Sequence, residues 1–298
     1  MENLLMNFSD GLAEVIGHVA RSVVRVEDRS RLTATGMIWN PDGVIVTTSH
    51  GVERDEDLAI EIENGTTYPA TLIGRDPDTD IAVLKIEATG LPAITRADAE
   101  KVKVGQLALA LGRPGTSGLQ ATIGIVSARI DSQNGGREEY LLYTDAVLYP
   151  GFSGGPLLNM SGEVVGMNNL IYGRGKGVAI GAPILSHVVG ALLQHGTVSR
   201  GYLGVRTQLV ELPSALVASL SLPTNVALLL VGIEANGPAD KSGLLPGDAV
   251  TGINGQAVSD VETLRNLLRN LLAGQVAQID LLRGGTKLTV SVTLGSGG

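Results

Sequence analysis

Gly151-Phe152-Ser153-Gly154-Gly155-Pro156-Leu157 carries the strongest chemical signal in the chain. A serine that attacks a carbonyl needs backbone N–H groups aimed at the oxygen that becomes charged, and flanking glycines let the chain fold closely enough to present them. The same heptapeptide could be a Gly-rich turn with an incidental serine, so its companions decide. A serine hydroxyl is weak until a histidine takes its proton, and the histidine needs a carboxylate to fix its tautomer. Of the four histidines, His50 follows the strand-like run Gly43 to Thr48, where a barrel strand would end and a general base could sit. His18, His187 and His195 fall in helical or linker stretches and read as solvated or hydrogen-bonded side chains. Asp80 stands directly before the apolar run Ile81-Ala82-Val83-Leu84, which would bury it, whereas Asp76 and Asp78 read as turn carboxylates.

The rest of the chain sets the frame. Its 298 residues, 44% apolar, are enough for two domains with a core each. Forty glycines and few aromatics favour short strands and tight turns, and β-rich runs from Ser22 to about Ile180 suit a barrel or sandwich. Asn40-Pro41-Asp42-Gly43 and Asn64-Gly65 read as hairpin turns. Pro183 to Leu193 has helical spacing and would close the first domain, leaving His195 to Gly201 as a linker. Beyond it the pattern mixes strands with two helical stretches, one of them carrying Val261, Leu264, Leu268 and Leu271 behind a Ser259 or Asp260 cap. A net charge of -8 without basic blocks argues against nucleic acid. There is no cysteine, which excludes disulfides and thiolate metal sites. Gly173 to Gly177 lacks the ending of a phosphate loop, and no metal or cofactor is expected. The first twenty residues carry Glu2, Asp10 and Glu14 without a basic leader and do not read as a secretory signal. The compartment is therefore expected to be cytoplasmic if the chain is complete and extracytoplasmic if it is a trimmed form. The most apolar stretch, Val226 to Ile233, is too short for a membrane span.

The order His, Asp, Ser is that of the chymotrypsin-type fold and differs from the α/β-hydrolase and subtilisin orders. Asn40 to His50, Asp76 to Lys85, Gly124-Ile125-Val126-Ser127-Ala128 and Tyr143 to Asn159 together resemble the HtrA (DegP-like) serine proteases. The resemblance runs over nearly the whole chain in the right order. It implies a mainly β protein with two six-stranded β-barrels over residues 1–198, where 1–21 is an N-terminal helical segment. The triad would be His50, Asp80 and Ser153, and the oxyanion hole the N–H groups of Gly151 and Ser153. Phe152 departs from the family's usual Asn, so the oxyanion loop has to be held by packing and by neighbouring loops, with Asp131 to Glu139 read as the most mobile of these. Asn169, Leu170 and Ile171, with the strand Gly177, Val178, Ala179 and Ile180, are expected to line the specificity pocket. No acidic side chain is expected there, so small or medium aliphatic residues should precede the cleaved bond.

Arg200 to Val205, Gly237 to Leu244, Pro246-Gly247-Asp248 and Ile253-Asn254-Gly255 extend the resemblance to a small α+β PDZ domain over 199–298. Tyr202, Leu203, Gly204 and Val205 would cradle a peptide carboxylate, with Leu264 and Leu268 on the facing helix. The implied partners are unfolded polypeptides at the cleft, peptide C-termini at the PDZ groove, and two further copies in a homotrimer. A rival reading is a chaperone or adaptor that holds polypeptides and cleaves little.

Overall fold

The computed structural model describes residues 2–28, 33–98, 101–115, 118–134, 137–173, 177–269, 271 and 273–296. The chain divides into two compact units, the first of Met1–Ser132 and Glu138–Val198 and the second of Ser199–Gly298 with Gln133–Arg137.

The first unit opens with α1 (Glu2–Ala20). Strands β1 (Val23–Glu27), β2 (Ala34–Asn40), β3 (Val44–Thr48), β4 (Leu58–Glu61), β5 (Thr67–Asp76) and β6 (Ile81–Ile86) close into an antiparallel barrel in the order β1-β2-β3-β6-β5-β4. Strands β7 (Leu107–Gly112), β8 (Gln120–Asn134), β9 (Arg137–Thr144), β10 (Pro156–Leu158), β11 (Val164–Asn169) and β12 (Gly177–Gly181) close a second in the order β10-β11-β12-β9-β8-β7, and α2 (Ala182–His195) follows. Side chains alternate across a strand, and here both faces are apolar. Ile45, Ala82 and Leu84 fill the first barrel, and Ala108, Ala110, Val165 and Ala179 fill the second. Their neighbours Val44, Val46, Ile81, Val83, Leu109, Leu111, Val164 and Ile180 turn the other way and join α2 in one core between the barrels. This is why these strands read as unbroken apolar runs.

β2, β5 and β10 carry weak strand signals in the sequence. Gly36 interrupts β2, Pro69 and Gly74 interrupt β5, and β10 has only three residues; glycine and proline weaken strand patterns. The segment Asp131 to Glu139, read as a mobile loop, is the far end of the β8–β9 hairpin, with residues 135 and 136 outside the described residues.

The second unit holds β13 (Gly201–Tyr202), β14 (Val205–Glu211), α3 (Ser214–Leu220), β15 (Val226–Ile233), α4 (Pro238–Lys241), β16 (Ala249–Ile253), β17 (Gln256–Ala257), α5 (Val261–Arg269), β18 (Val276–Arg283), β19 (Thr286–Thr293) and β20 (Gly295–Ser296). Its main sheet runs β14-β15-β16-β18-β19, and Leu228, Val250, Leu264, Ile279 and Val292 meet in its core. Asp260 caps α5 by accepting the Thr263 N–H at 2.6 Å. The described residues of this unit hold three helices where two were expected; α4 has only four residues, and α3 lays Leu216, Val217 and Leu220 on a small satellite core. Asp248 is buried and accepts two bonds of 2.7 Å from Arg283. Among the described residues, no helix is long and apolar enough to cross a membrane.

Candidate active site

β3 ends in a single 3-10 turn, Ser49–Gly51, that carries His50. Asp80 precedes β6 in the left-handed conformation (φ 57°), which a short polar side chain tolerates better than most. One Asp80 carboxylate oxygen accepts the His50 backbone N–H at 2.9 Å. The other lies 2.6 Å from His50 Nδ1 and 2.7 Å from Asn169 Nδ2. An ionised carboxylate can only accept, so Nδ1 carries the ring proton and Nε2 is left as the acceptor. The His50 side chain is 30% exposed and that of Asp80 only 9%, so the pair is reached from the imidazole side.

Ser153 is buried, and its Oγ accepts the Leu170 N–H at 3.2 Å. Among the described residues no hydrogen bond joins it to the imidazole. The end of β11 nevertheless brings the three together, since Asn169 bonds Asp80 and the next residue, Leu170, bonds Ser153.

The loop before Ser153 is fixed on all sides. Gly151 has φ 91°, and a Cβ there would lie 2.5 Å from Pro114 Cβ; a Cβ on Gly154, at φ 87°, would lie 2.0 Å from the Thr35 carbonyl oxygen. Only glycine fits either place. Phe152 is fully buried in the second barrel's core. Its ring lies edge-on to Tyr149 at 5.7 Å and directly over Gly112, where a Cβ would come within 2.5 Å of the ring. The Phe152 N–H donates to Tyr149 at 2.9 Å, and Thr35 Oγ1 donates to the Gly151 carbonyl at 2.6 Å. The N–H groups of Gly151 and Ser153 donate to no backbone carbonyl among the described residues.

The expected pocket residues separate. Leu170 and Gly177 line one cleft of about 460 Å³ together with Ala146, Val147 and Leu148. Asn169 is fully buried with its amide turned to Asp80, so it supports the carboxylate instead of forming a wall. Ile180 belongs to the core between the barrels and Ala179 to the second barrel's interior, since β12 is paired on both sides by β11 and β9. Val178 is equally buried, and Ile171 is exposed and outside the cleft. One carboxylate that the sequence reading overlooked, Asp145, lies in the cleft lining and accepts the Ile125 N–H at 2.7 Å.

In the second unit, Tyr202, Leu203, Gly204, Val205, Leu264 and Leu268 line a single groove of about 480 Å³ between the start of β14 and α5. The Tyr202 hydroxyl donates to Glu234 at 2.8 Å, and that bond raises the phenol's pKa.

Residues 34–167 match the trypsin-like peptidase domain, and residues 201–294 match the PDZ domain. A probable periplasmic serine endoprotease, DegP-like, from Pseudomonas putida (strain W619) is 36% identical over 267 residues, which cover 88% of this chain and 55% of the relative. One of the same description from Rhizobium meliloti (strain 1021) is 37% identical, covering 90% of this chain and 54% of the relative. The chain thus spans about half the length of these curated relatives. Among solved structures, the HtrA-type protease AlgW with tripeptide superposes with a TM-score of 0.70 at 31% identity, over 96% of this chain and 97% of that one. The serine endoprotease from Yersinia pestis gives 0.68 at 29% identity, over 96% and 98%. With two closed barrels, a PDZ domain and these matches along nearly its whole length, the chain belongs to the HtrA-type (DegP-like) family of serine proteases.

Proposed function

We propose that this chain is a serine endopeptidase that cleaves unfolded polypeptides through an acyl-enzyme. Residues 1–198 form the protease domain, with 1–21 as its N-terminal helical segment, and 199–298 the PDZ domain. The reading is carried by the run of bonds from His50 through Asp80 to Asn169 and from Leu170 to Ser153. When substrate enters, Ser153 Oγ turns from the Leu170 N–H to Nε2 of His50, gives up its proton and attacks the carbonyl carbon. The N–H groups of Gly151 and Ser153 receive the oxyanion. The imidazolium then protonates the leaving amine, and water, activated by the same ring, hydrolyses the ester.

Ala146, Val147, Leu148 and Leu170 give the cleft apolar walls, which favour aliphatic residues before the cleaved bond; Asp145, exposed on the same lining with one oxygen on the Ile125 N–H, is the acidic group that the cleavage map has to test. The groove at Tyr202 to Val205 takes peptide C-termini by strand addition along β14. Leu4, Leu5, Met6 and Phe8 of α1 are exposed and supply an apolar surface for a homotrimer. The relatives' description as periplasmic supports an extracytoplasmic setting. The test is digestion of an unfolded protein, with cleavage sites mapped by mass spectrometry. Cuts after Val, Ala or Leu that vanish in Ser153→Ala are expected; an undigested substrate would favour the chaperone-like alternative, and cuts after Lys or Arg would overturn the pocket.

A further inference from the structure

We propose that Thr35 is the positioning residue of the oxyanion hole, a hydroxyl and backbone clamp from the first barrel that fixes the Gly151–Phe152 and Ser153–Gly154 peptides, the two planes on either side of the one that presents the Ser153 N–H. The inference rests on the reading of Ser153 as the nucleophile.

An oxyanion hole is useful only if its donors are aimed before the charge forms, and a loop with glycines at 151, 154 and 155 has no intrinsic stiffness to aim them. Thr35 supplies the missing restraint at two points. Its hydroxyl donates to the Gly151 carbonyl at 2.6 Å, and its N–H donates to the Ser153 carbonyl at 3.0 Å. The two candidate donor residues are therefore held by one residue of β2.

The direction of the hydroxyl is determined. Thr35 Oγ1 also accepts the Arg113 N–H at 2.8 Å, and a carbonyl can only accept, so the single hydroxyl proton must point at Gly151. The clamp is itself anchored. The Thr35 carbonyl accepts Thr47 Oγ1 at 2.7 Å, and Thr35 is fully buried. Arg113, also buried, donates from Nε to Val23 at 2.8 Å and from Nη2 to Ala20 at 3.1 Å. Burial lowers the Arg113 pKa, while Glu63 and Glu61 work the other way. The hydrogen bonds thus run without a break from the end of α1 and the start of β1, through Arg113 and Thr35, to the carbonyl of Gly151. The Gly151–Phe152 peptide is gripped at both ends, by Thr35 on its oxygen and by Tyr149 on its nitrogen.

The experiment compares full-length wild type, Thr35→Val and Thr35→Ser. Thr35→Val keeps the β-branched shape without the hydroxyl; Thr35→Ser keeps the hydroxyl. Active sites are titrated with a fluorophosphonate, kcat and KM are measured on a short chromogenic peptide, and affinity is measured for a peptide boronic acid, whose tetrahedral adduct places an oxygen in the hole. Thr35→Val is expected to lose ~10²-fold in kcat, with KM nearly unchanged and boronate affinity falling in parallel, and Thr35→Ser is expected to restore both. A merely structural role would lower the melting temperature and leave kcat per titrated site intact, and that result overturns the proposal. So does a Thr35→Ser protein as impaired as Thr35→Val. If Thr35→Val does not fold, Thr35→Ala, which adds no bulk, is held to the same criteria. Wild type that fails to react at Ser153 would overturn the protease reading and this inference with it, whereas reactive wild type with an equally fast Thr35→Val overturns this inference alone.

Discussion

The His50–Asp80 pair and the Gly151–Ser153 loop are proposed to serve one reaction, yet they are built on opposite principles. The pair is held by hydrogen bonds to a charge: Asp80 accepts twice from His50 and once from Asn169, all between 2.6 and 2.9 Å. The loop has no charged side chain, and its peptide planes are set by a phenyl ring buried in the second barrel's core and by Thr35 from the first. The contrast teaches that the two halves should fail differently. Damage to the pair removes chemistry and leaves the fold standing, whereas damage to the loop's support removes chemistry and stability together.

The largest expected effect on activity lies on the chemical side. Ser153→Ala and Asp80→Asn should each lower kcat by ~10⁴-fold or more, with thermal unfolding followed by circular dichroism close to wild type. An Asp80→Asn protein that unfolds many degrees lower would break the comparison. Next comes the loop. Phe152→Ala should cost about 3–5 kcal/mol of stability in denaturant titrations and, by releasing the Gly151 peptide, ~10²–10³-fold in kcat. Phe152→Leu should recover most of both. Undiminished stability in Phe152→Ala would mean that the loop does not depend on the barrel core.

Asn169 sharpens the charged half. Its amide is one of three donors on Asp80, and hydrogen bonds to charged groups are worth ~1.5–3 kcal/mol, so Asn169→Ala should lower kcat by ~10–10²-fold. KM for a short peptide should hardly move, and initial-rate kinetics will separate the two. The smallest effect on activity is a control, a charged pair given no part in the chemistry. Burial works to raise the Asp248 carboxyl, but the bonds from Arg283 and from the Leu245 N–H outweigh it and leave its pKa below the usual carboxylate value. A group depressed in the folded state stabilises above its unfolded pKa and loses that contribution as pH falls through the folded value. Asp248→Asn should therefore melt below wild type at pH 7, with the gap closing below about pH 4, and should keep full kcat on a short peptide. A gap independent of pH would assign the loss to packing instead.

The sequence was far more informative about the charged half than about its support. His50, Asp80 and Ser153 are chemically distinctive residue types in a diagnostic order, and Phe152 announced a loop held by packing. Thr35 gave no signal, because its work is done on backbone groups 116 and 78 positions away, those of Gly151 and Arg113. A threonine in Ala34-Thr35-Gly36 looks like any strand residue. Asn169 carries no sequence sign of its bond to Asp80. Its position at the end of β11 suggested a pocket wall, and only the folded chain brings it to a carboxylate 89 positions earlier. The burial of Val178, Ala179 and Ile180 is equally hidden in the sequence, since a short apolar run does not reveal that both of its faces are covered. In the second unit Asn254-Gly255 and Gly284-Gly285 take the positive φ angles of two-residue hairpin loops, the conformation that Asn-Gly and Gly-Gly pairs favour.

The most direct test of the central claim is covalent labelling by a fluorophosphonate, read out by peptide mass spectrometry, on the folded full-length chain with and without a peptide bearing an apolar C-terminus. A serine reacts only if a base activates it. The account predicts a single adduct on Ser153 that is lost in His50→Ala and slowed in Thr35→Val. Folded protein that stays unlabelled at Ser153 under both conditions would contradict it.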